Sequence, residues 1–209
     1  STILYGMRIS MGVGIASVLF AMVMGVSLGL VAGYFGGRVD SIIMRAADVQ
    51  LTFPAILIAL LVDGVARVVL GSHKSGGGEI AVLILAIGFS YWVQYARTVR
   101  GSTLLERNKE YVQAARLIGI SPVAIMFRHV LPNVTGPVMV IATINLGLAI
   151  ITEATLSFLG VGLPATQPSL GTMISIGQQF LLSGDWWIVT FPGVTLAAIV
   201  LSVNLLGDW

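Results

Sequence analysis

Ile9-Ser10-Met11-Gly12-Val13-Gly14-Ile15-Ala16-Ser17-Val18-Leu19-Phe20-Ala21-Met22-Val23-Met24-Gly25-Val26-Ser27-Leu28-Gly29-Leu30-Val31 is a run without a single charge. A helix of about 20 such residues crosses the hydrocarbon core of a bilayer. The run is continuously apolar, where a barrel strand would alternate, so it specifies a helix. Four further runs repeat the pattern: about Ile42 to Val62, Ile80 to Ala96, Val134 to Thr152, and Trp186 to Leu206. The last opens on Trp186-Trp187, an aromatic pair suited to the membrane–water interface.

Composition agrees. The 209 residues are 56% hydrophobic and only 10% charged, with a mean hydropathy of +0.97. Soluble domains carry about a quarter charged residues, so lipid is the expected outer solvent. The expected fold is an all-α, polytopic bundle with five spans in a single domain over residues 1–209. The net charge of +2 gives no reason to expect nucleic acid. Cysteine is absent, which excludes disulfides and thiolate metal sites. His73 and His129 are far apart and form no metal-ligand spacing.

Basic residues mark the cytoplasmic side. The segment Arg97 to Pro132 holds Arg97, Arg100, Arg107, Lys109, Arg116 and Arg128, whereas Glu153 to Asp185 has no Lys or Arg. The first is therefore expected inside, with a loop over about 101–132, and the second outside. Counting back puts Gly36–Asp40 inside, Gly64–Glu79 outside and residue 1 outside. A chain starting outside is expected to have one more span upstream, making a natural protein of six spans.

The inside loop is the most informative segment. Tyr111, Ala115 and Ile118 share a helical stripe that Gly119 stops. Ser121-Pro122 begins a second helix, Ser as N-cap and Pro as first helical residue. That helix presents Val123, Ile125, Met126 and Phe127 and is expected to end before Leu131-Pro132. The result is a helical hairpin with small residues, Ala114 and Ala115, beside its bend. Internal packing and a socket on a partner protein are both open to it on composition.

This loop resembles the signature of ABC importer permeases: Glu-Ala-Ala, three residues, Gly, nine residues, Ile, one residue, Leu-Pro. Gln113-Ala114-Ala115, Gly119 and Leu131-Pro132 stand at that spacing, with Gln113 in place of the acid and His129 in place of Ile. Arg128-His129-Val130-Leu131-Pro132-Asn133 is similar to the peptide and nickel branch. So are Gly33-Tyr34-Phe35-Gly36-Gly37 with Asp40, Arg45 and Asp48; Glu153-Ala154-Thr155-Leu156-Ser157-Phe158-Leu159-Gly160-Val161-Gly162; and Asn204-Leu205-Leu206-Gly207-Asp208. The likeness is to the C-type subunit and covers nearly the whole chain.

The resemblance implies a type I ABC importer permease fold in the bacterial inner membrane. It implies a homologous second permease subunit, two cytoplasmic ABC ATPases and an extracytoplasmic substrate-binding protein as partners, besides membrane lipid. It implies that Glu110, Gln113, Ala114, Ala115, Gly119, Ser121, Pro122, Leu131 and Pro132 belong to the ATPase coupling loop. Di- or oligopeptides are the implied substrates, with nickel or another small solute as alternatives. No catalytic residue, cofactor or metal is expected on this chain. Gly-Lys occurs nowhere in it, so the phosphate-cradling loop that binds ATP and Mg belongs to the partner ATPase.

Three residues are candidates for the path or its gate. Pro54 is expected to kink the second span. Asn145, the polar exception in the fourth span, either lines the path or ties two helices together. Glu153 meets a substrate ammonium group or the binding protein, or is simply solvated. Asp48 reads as an intramembrane functional acid or as one half of a local ion pair. Gly12, Gly14, Gly25 and Gly29 are expected at close helix contacts. The apolar outer loop, over about 153–185, is expected to fold onto the bundle as short helices. A stand-alone secondary transporter or channel is the competing class, but it would need deep charges or an inverted repeat. A membrane enzyme would need a nucleophile with its base, or a metal cluster, and neither is legible.

Overall fold

The computed structural model describes residues 2–70, 77–163 and 167–207, without the side chains of Arg67 and Leu70. His73, Lys74, Gly76, Pro164 and Asp208 lie outside the described residues. Among the described residues the regular elements are all helical. They are α1 (Thr2–Phe35), α2 (Gly37–Leu51), α3 (Ala55–Leu70), α4 (Gly77–Glu106), α5 (Glu110–Leu117), α6 (Pro122–Ile125), α7 (Leu131–Phe158), α8 (Leu170–Gln178) and α9 (Trp187–Gly207). A π-helical turn, Met126–Val130, joins α6 to α7, and a 3-10 turn, Leu181–Ser183, follows α8.

Four of these helical stretches are long and apolar enough to cross a membrane, five if α2 and α3 count as one broken span. The second apolar run is thus not one kinked helix. Thr52 closes α2, its hydroxyl bonding back to the Val49 carbonyl at 2.6 Å. Pro54 then precedes α3, offering its carbonyl to the Leu57 and Ile58 amides. Proline disfavours helical geometry in the residue before it and has no N–H to continue the ladder, so it starts a new helix here instead of bending an old one. The loops are also shorter than their composition suggests: α3 continues to Leu70, and α4 carries Arg97 and Arg100 within its helix.

The chain divides into two compact units. The first comprises Ser1–Phe20, Pro54–Ser90 and Thr143–Trp209. Its core is Ile150, Leu170 and Ile199, with Met7, Met11, Leu146 and Val203 packed around them. Small residues allow backbones to approach where lipid supplies no hydrophobic drive. A Cβ on Gly171 would lie 2.2 Å from the Ala154 carbonyl oxygen, and one on Gly14 would lie 2.8 Å from Ile150. The outer segment folds as expected into short helices: Ser169 caps α8 by accepting from the Thr172 amide, and the Leu170 amide donates to Ser10 on α1.

The second unit comprises Ala21–Phe53 and Tyr91–Ala142. Its frame is the α1–α4 pair. Gly25, Gly29 and Gly33 recur every fourth residue on one face of α1, against Trp92 to Ala96, Ala96 to Val99, and Arg100 to Thr103. A Cβ would come within 2.4 Å of backbone at Gly25 and 2.5 Å at Gly29. Gly12 has nothing within 4 Å of such a Cβ, so the expected close contact does not occur there. α2 lies on α4 through Ile43, Met44 and Ala47, packed with Trp92, Val93 and Ala96. The Trp92 indole N–H donates to Gln50 at 2.7 Å.

Candidate coupling hairpin and its anchors

Helix α5 ends in a Schellman turn. Gly119 adopts φ +81°, its N–H bonds the Arg116 carbonyl, and the Ile120 N–H bonds the Ala115 carbonyl. A left-handed residue is required there, and only glycine takes that conformation without strain. Ser121 then caps α6, its Oγ accepting from the Ala124 amide at 3.4 Å, with Pro122 in the first turn. The bend at Gly119 and the restart at Ser121-Pro122 thus arise from local chemistry.

The second arm departs from the expectation that it ends before Leu131-Pro132. It passes through Met126–Val130 into α7 without a break. The Leu131 N–H reaches the Met126 carbonyl, five residues back. Widening the helix at this point removes the clash that the Pro132 ring would make in a regular turn. Asn133 donates its side-chain amide to the His129 carbonyl at 2.8 Å, satisfying an acceptor in the disturbed turn.

On α5, Val112 and Ala115 are buried. Glu110, Gln113, Ala114, Leu117 and Ile118 share the opposite, exposed face. The two alanines therefore part company: Ala115 packs inward and Ala114 looks out. Leu117 is 88% exposed and Ile118 76%. On the second arm Ile125 and Met126 turn inward while Val123 and Phe127 stay exposed. Ser121, Pro122 and Pro132 are exposed as well, with Leu131 half-buried. Gln113 donates to the Asn108 carbonyl at 3.0 Å.

The hairpin is anchored by polar contacts. Tyr111 donates to Glu106 and accepts from Asn133 at 3.1 Å, joining the end of α4, α5 and the start of α7. Burial, followed by the Glu106 carboxylate, pushes the Tyr111 phenol up to about 12. Arg107 donates to the Gly33 carbonyl at 2.8 Å, a cation on the carbonyl end of α1. Arg116 stacks its guanidinium over the Tyr34 ring, 4.9 Å from the centroid, and donates Nε to the Tyr34 hydroxyl at 3.2 Å. Such a stack contributes about 0.5–1 kcal/mol at an exposed site.

The basic residues after the third run include three in ion pairs, one of them Lys109 with its neighbour Glu106 at 2.5 Å. Arg100 forks onto Asp40 and Arg97 meets Asp48. Asp48 therefore takes the ion-pair reading, with a partner on α4 rather than its neighbour Arg45. The sequence offered no sign of the two aspartate partners, nor of the Tyr34–Arg116 stack, because the members of each pair lie 49 to 82 residues apart.

All three candidate path residues belong to the first unit, two of them on α7. Asn145 is fully buried, and neither amide atom meets a hydrogen-bond partner among the described residues. Glu153 is also fully buried. Its Oε1 accepts from Ser157 at 2.7 Å, and the Ser157 oxygen accepts from the Leu163 amide at 3.4 Å. This relay holds the turn that follows α7, where Gly160 takes φ +76°. Pro54 is exposed at the α2–α3 break. Asp63 is a buried acid within α3.

Residues 25–209 match the family described as binding-protein-dependent transport system inner membrane component. The chain belongs to this family. Within it, the chain is 39% identical to the dipeptide transport system permease protein DppC of Bacillus subtilis, over 98% of this chain and 61% of that protein. It is 38% identical to the glutathione transport system permease protein GsiD of Pectobacterium atrosepticum, over 100% of this chain and 65% of that protein. The chain spans about two thirds of the length of the curated relatives it matches. An inward-facing MetNI methionine ABC transporter structure superposes with a TM-score of 0.73 at 20% identity, covering 99% of this chain and 93% of that one. That likeness supports the permease fold of this family and nothing finer.

Proposed function

We propose that this chain is the permease subunit of an ATP-driven, binding-protein-dependent importer in the bacterial inner membrane. On this reading it forms half of the translocation path with a homologous second permease. Two cytoplasmic ATPases supply the work, and ATP and Mg bind there. An extracytoplasmic binding protein delivers the substrate.

The observation that carries the reading is the outward face of α5. Leu117 and Ile118 are exposed on a loop that the charge distribution assigns to the cytoplasm, where no lipid tail covers them. Exposed apolar residues framed by Glu110, Gln113 and Ser121 mark a protein interface. A rigid hairpin with a glycine bend fits a socket on a moving partner and passes rigid-body motion into the bundle.

Relatives named for dipeptides and glutathione support peptides as the substrate class. Nickel or another small solute remains the competing cargo within the same mechanism. The decisive test is co-purification. Wild-type chain expressed with its neighbouring transport genes is expected to bring down an ATPase, and Ile118→Asp to lose it while staying in the membrane. Retention of the ATPase by Ile118→Asp and Leu117→Asp together overturns the reading. Mass spectrometry of the ligand on the natively purified binding protein then tests the cargo: short peptides support the peptide assignment, and a metal or a single non-peptide solute removes it.

A further inference from the structure

The coupling reading says what the outer face of α5 touches; it leaves open how the motion leaves the hairpin. Resting on that reading, we propose that Arg116 is the positioning residue that ties the coupling helix to the first span, through the face and hydroxyl of Tyr34.

The geometry is specific. Arg116 lies in the last turn of α5, immediately before the exposed Leu117-Ile118 pair. Tyr34 lies in the last turn of α1 and is 8% exposed. The guanidinium covers the ring face, and its Nε donates to the phenol oxygen, so one side chain grips the same partner twice. Two contacts at different ends of a planar ring resist both sliding and rotation, as a point charge would not. The ring is itself held: Phe35 meets it edge-on at 5.4 Å.

The end of α1 is rigid for independent reasons. Arg107 binds the Gly33 carbonyl. A Cβ at Gly33 would lie 2.6 Å from Thr103, so the α1 and α4 backbones are already in close approach. A displacement of α5 that pulls Tyr34 therefore carries α1 and α4 together. The Tyr111 contacts reach the start of α7 by a separate route. An ATPase gripping the hairpin would thus act on α1 through Arg116 and on α7 through Tyr111.

The test uses the full complex reconstituted in proteoliposomes. ATP hydrolysis is measured with and without the binding protein, and radiolabelled alanyl-alanine uptake is measured in the same vesicles. Arg116→Ala and Tyr34→Leu are expected to keep basal hydrolysis within about twofold. Stimulation by the binding protein should be lost and ATP consumed per peptide should rise at least about fivefold. Tyr34→Phe, which keeps the ring face, should retain at least about half of the coupling. The double variant Tyr34→Leu/Arg116→Ala should be no worse than either single one, because both break the same link. Wild-type stimulation and stoichiometry in Arg116→Ala and Tyr34→Leu overturn the proposal, as does a parallel fall of hydrolysis and uptake at constant stoichiometry. A wild-type complex that shows no stimulation and no ATP-driven uptake, either of alanyl-alanine or of the ligand identified on its binding protein, instead overturns the importer reading on which the proposal rests.

Discussion

Arg100 on α4 and Asp40 on α2 meet fork to fork: Nε donates to one carboxylate oxygen and Nη2 to the other, the second at 2.6 Å. Their side chains are 34% and 16% exposed, whereas the neighbouring Arg97–Asp48 pair is 48% and 61% exposed. Water screens the second pair and competes for it; bidentate geometry and partial burial favour the first. Asp40→Ala is expected to cost on the order of 1–2 kcal/mol of stability and Asp48→Ala under about 1 kcal/mol. Thermal unfolding of the purified variants in one detergent checks the ranking. Equal losses would contradict the assignment.

Close approach of α1 and α4 makes a second ranking. At Gly25 and Gly29 an added Cβ meets backbone, which cannot swing away as a side chain can. Gly29→Val should reduce folded yield and stability by about 1–3 kcal/mol or more. Gly12→Ala, in open space, should leave both within about 0.5 kcal/mol. Size-exclusion profiles and melting temperatures of the two variants provide the comparison.

Tyr111 yields a pH dependence. Its phenol is raised from 10.0 to about 12 in the fold, so the folded state holds the proton more tightly than the unfolded state. A raised value contributes stability that is complete below pH 10 and is lost as pH rises through 12. The hairpin anchor should thus be unchanged between about pH 6 and 9. Ultraviolet difference titration of wild type against Tyr111→Phe should place this tyrosine's ionisation above that of an ordinary phenol. Ionisation near 10 would show that the enclosed setting of this phenol, its burial together with the Glu106 contact, is absent in solution.

Glu153 is enclosed and engaged with Ser157. Glu153→Gln retains an acceptor for that hydroxyl, so uptake should stay within about twofold. Ser157→Ala leaves the buried Leu163 amide without its acceptor and should lower stability by about 1–3 kcal/mol. Abolished uptake in Glu153→Gln, with stability intact, would instead support direct contact with a substrate ammonium group.

The outline of the fold was legible because its signals are local. The run Ile9 to Val31 needs only its own apolarity to specify a helix. Gly119, Ser121 and Pro122 announce their turn through backbone preferences that act over a few residues. The second apolar run misled because mean hydropathy does not sense a backbone break: Thr52 and Pro54 end one helix and begin another within an unbroken apolar stretch. The continuity of α6 with α7 was hidden for a related reason. Proline at position 132 reads as a stop, and only a widened turn lets the helix pass it.

Local sequence was therefore sufficient for the membrane class, the helical spans other than the second, the glycine bend and the motifs that carry the family. Folding in three dimensions decided which alanine of the hairpin faces out, which arginine is paired, and that Glu153 is enclosed beside Ser157. The physical reason is range. Helix propensity and capping act within a turn or two. Burial and pairing depend on what arrives from elsewhere in the chain: Asp40 is 60 residues from Arg100, and Tyr34 is 82 from Arg116.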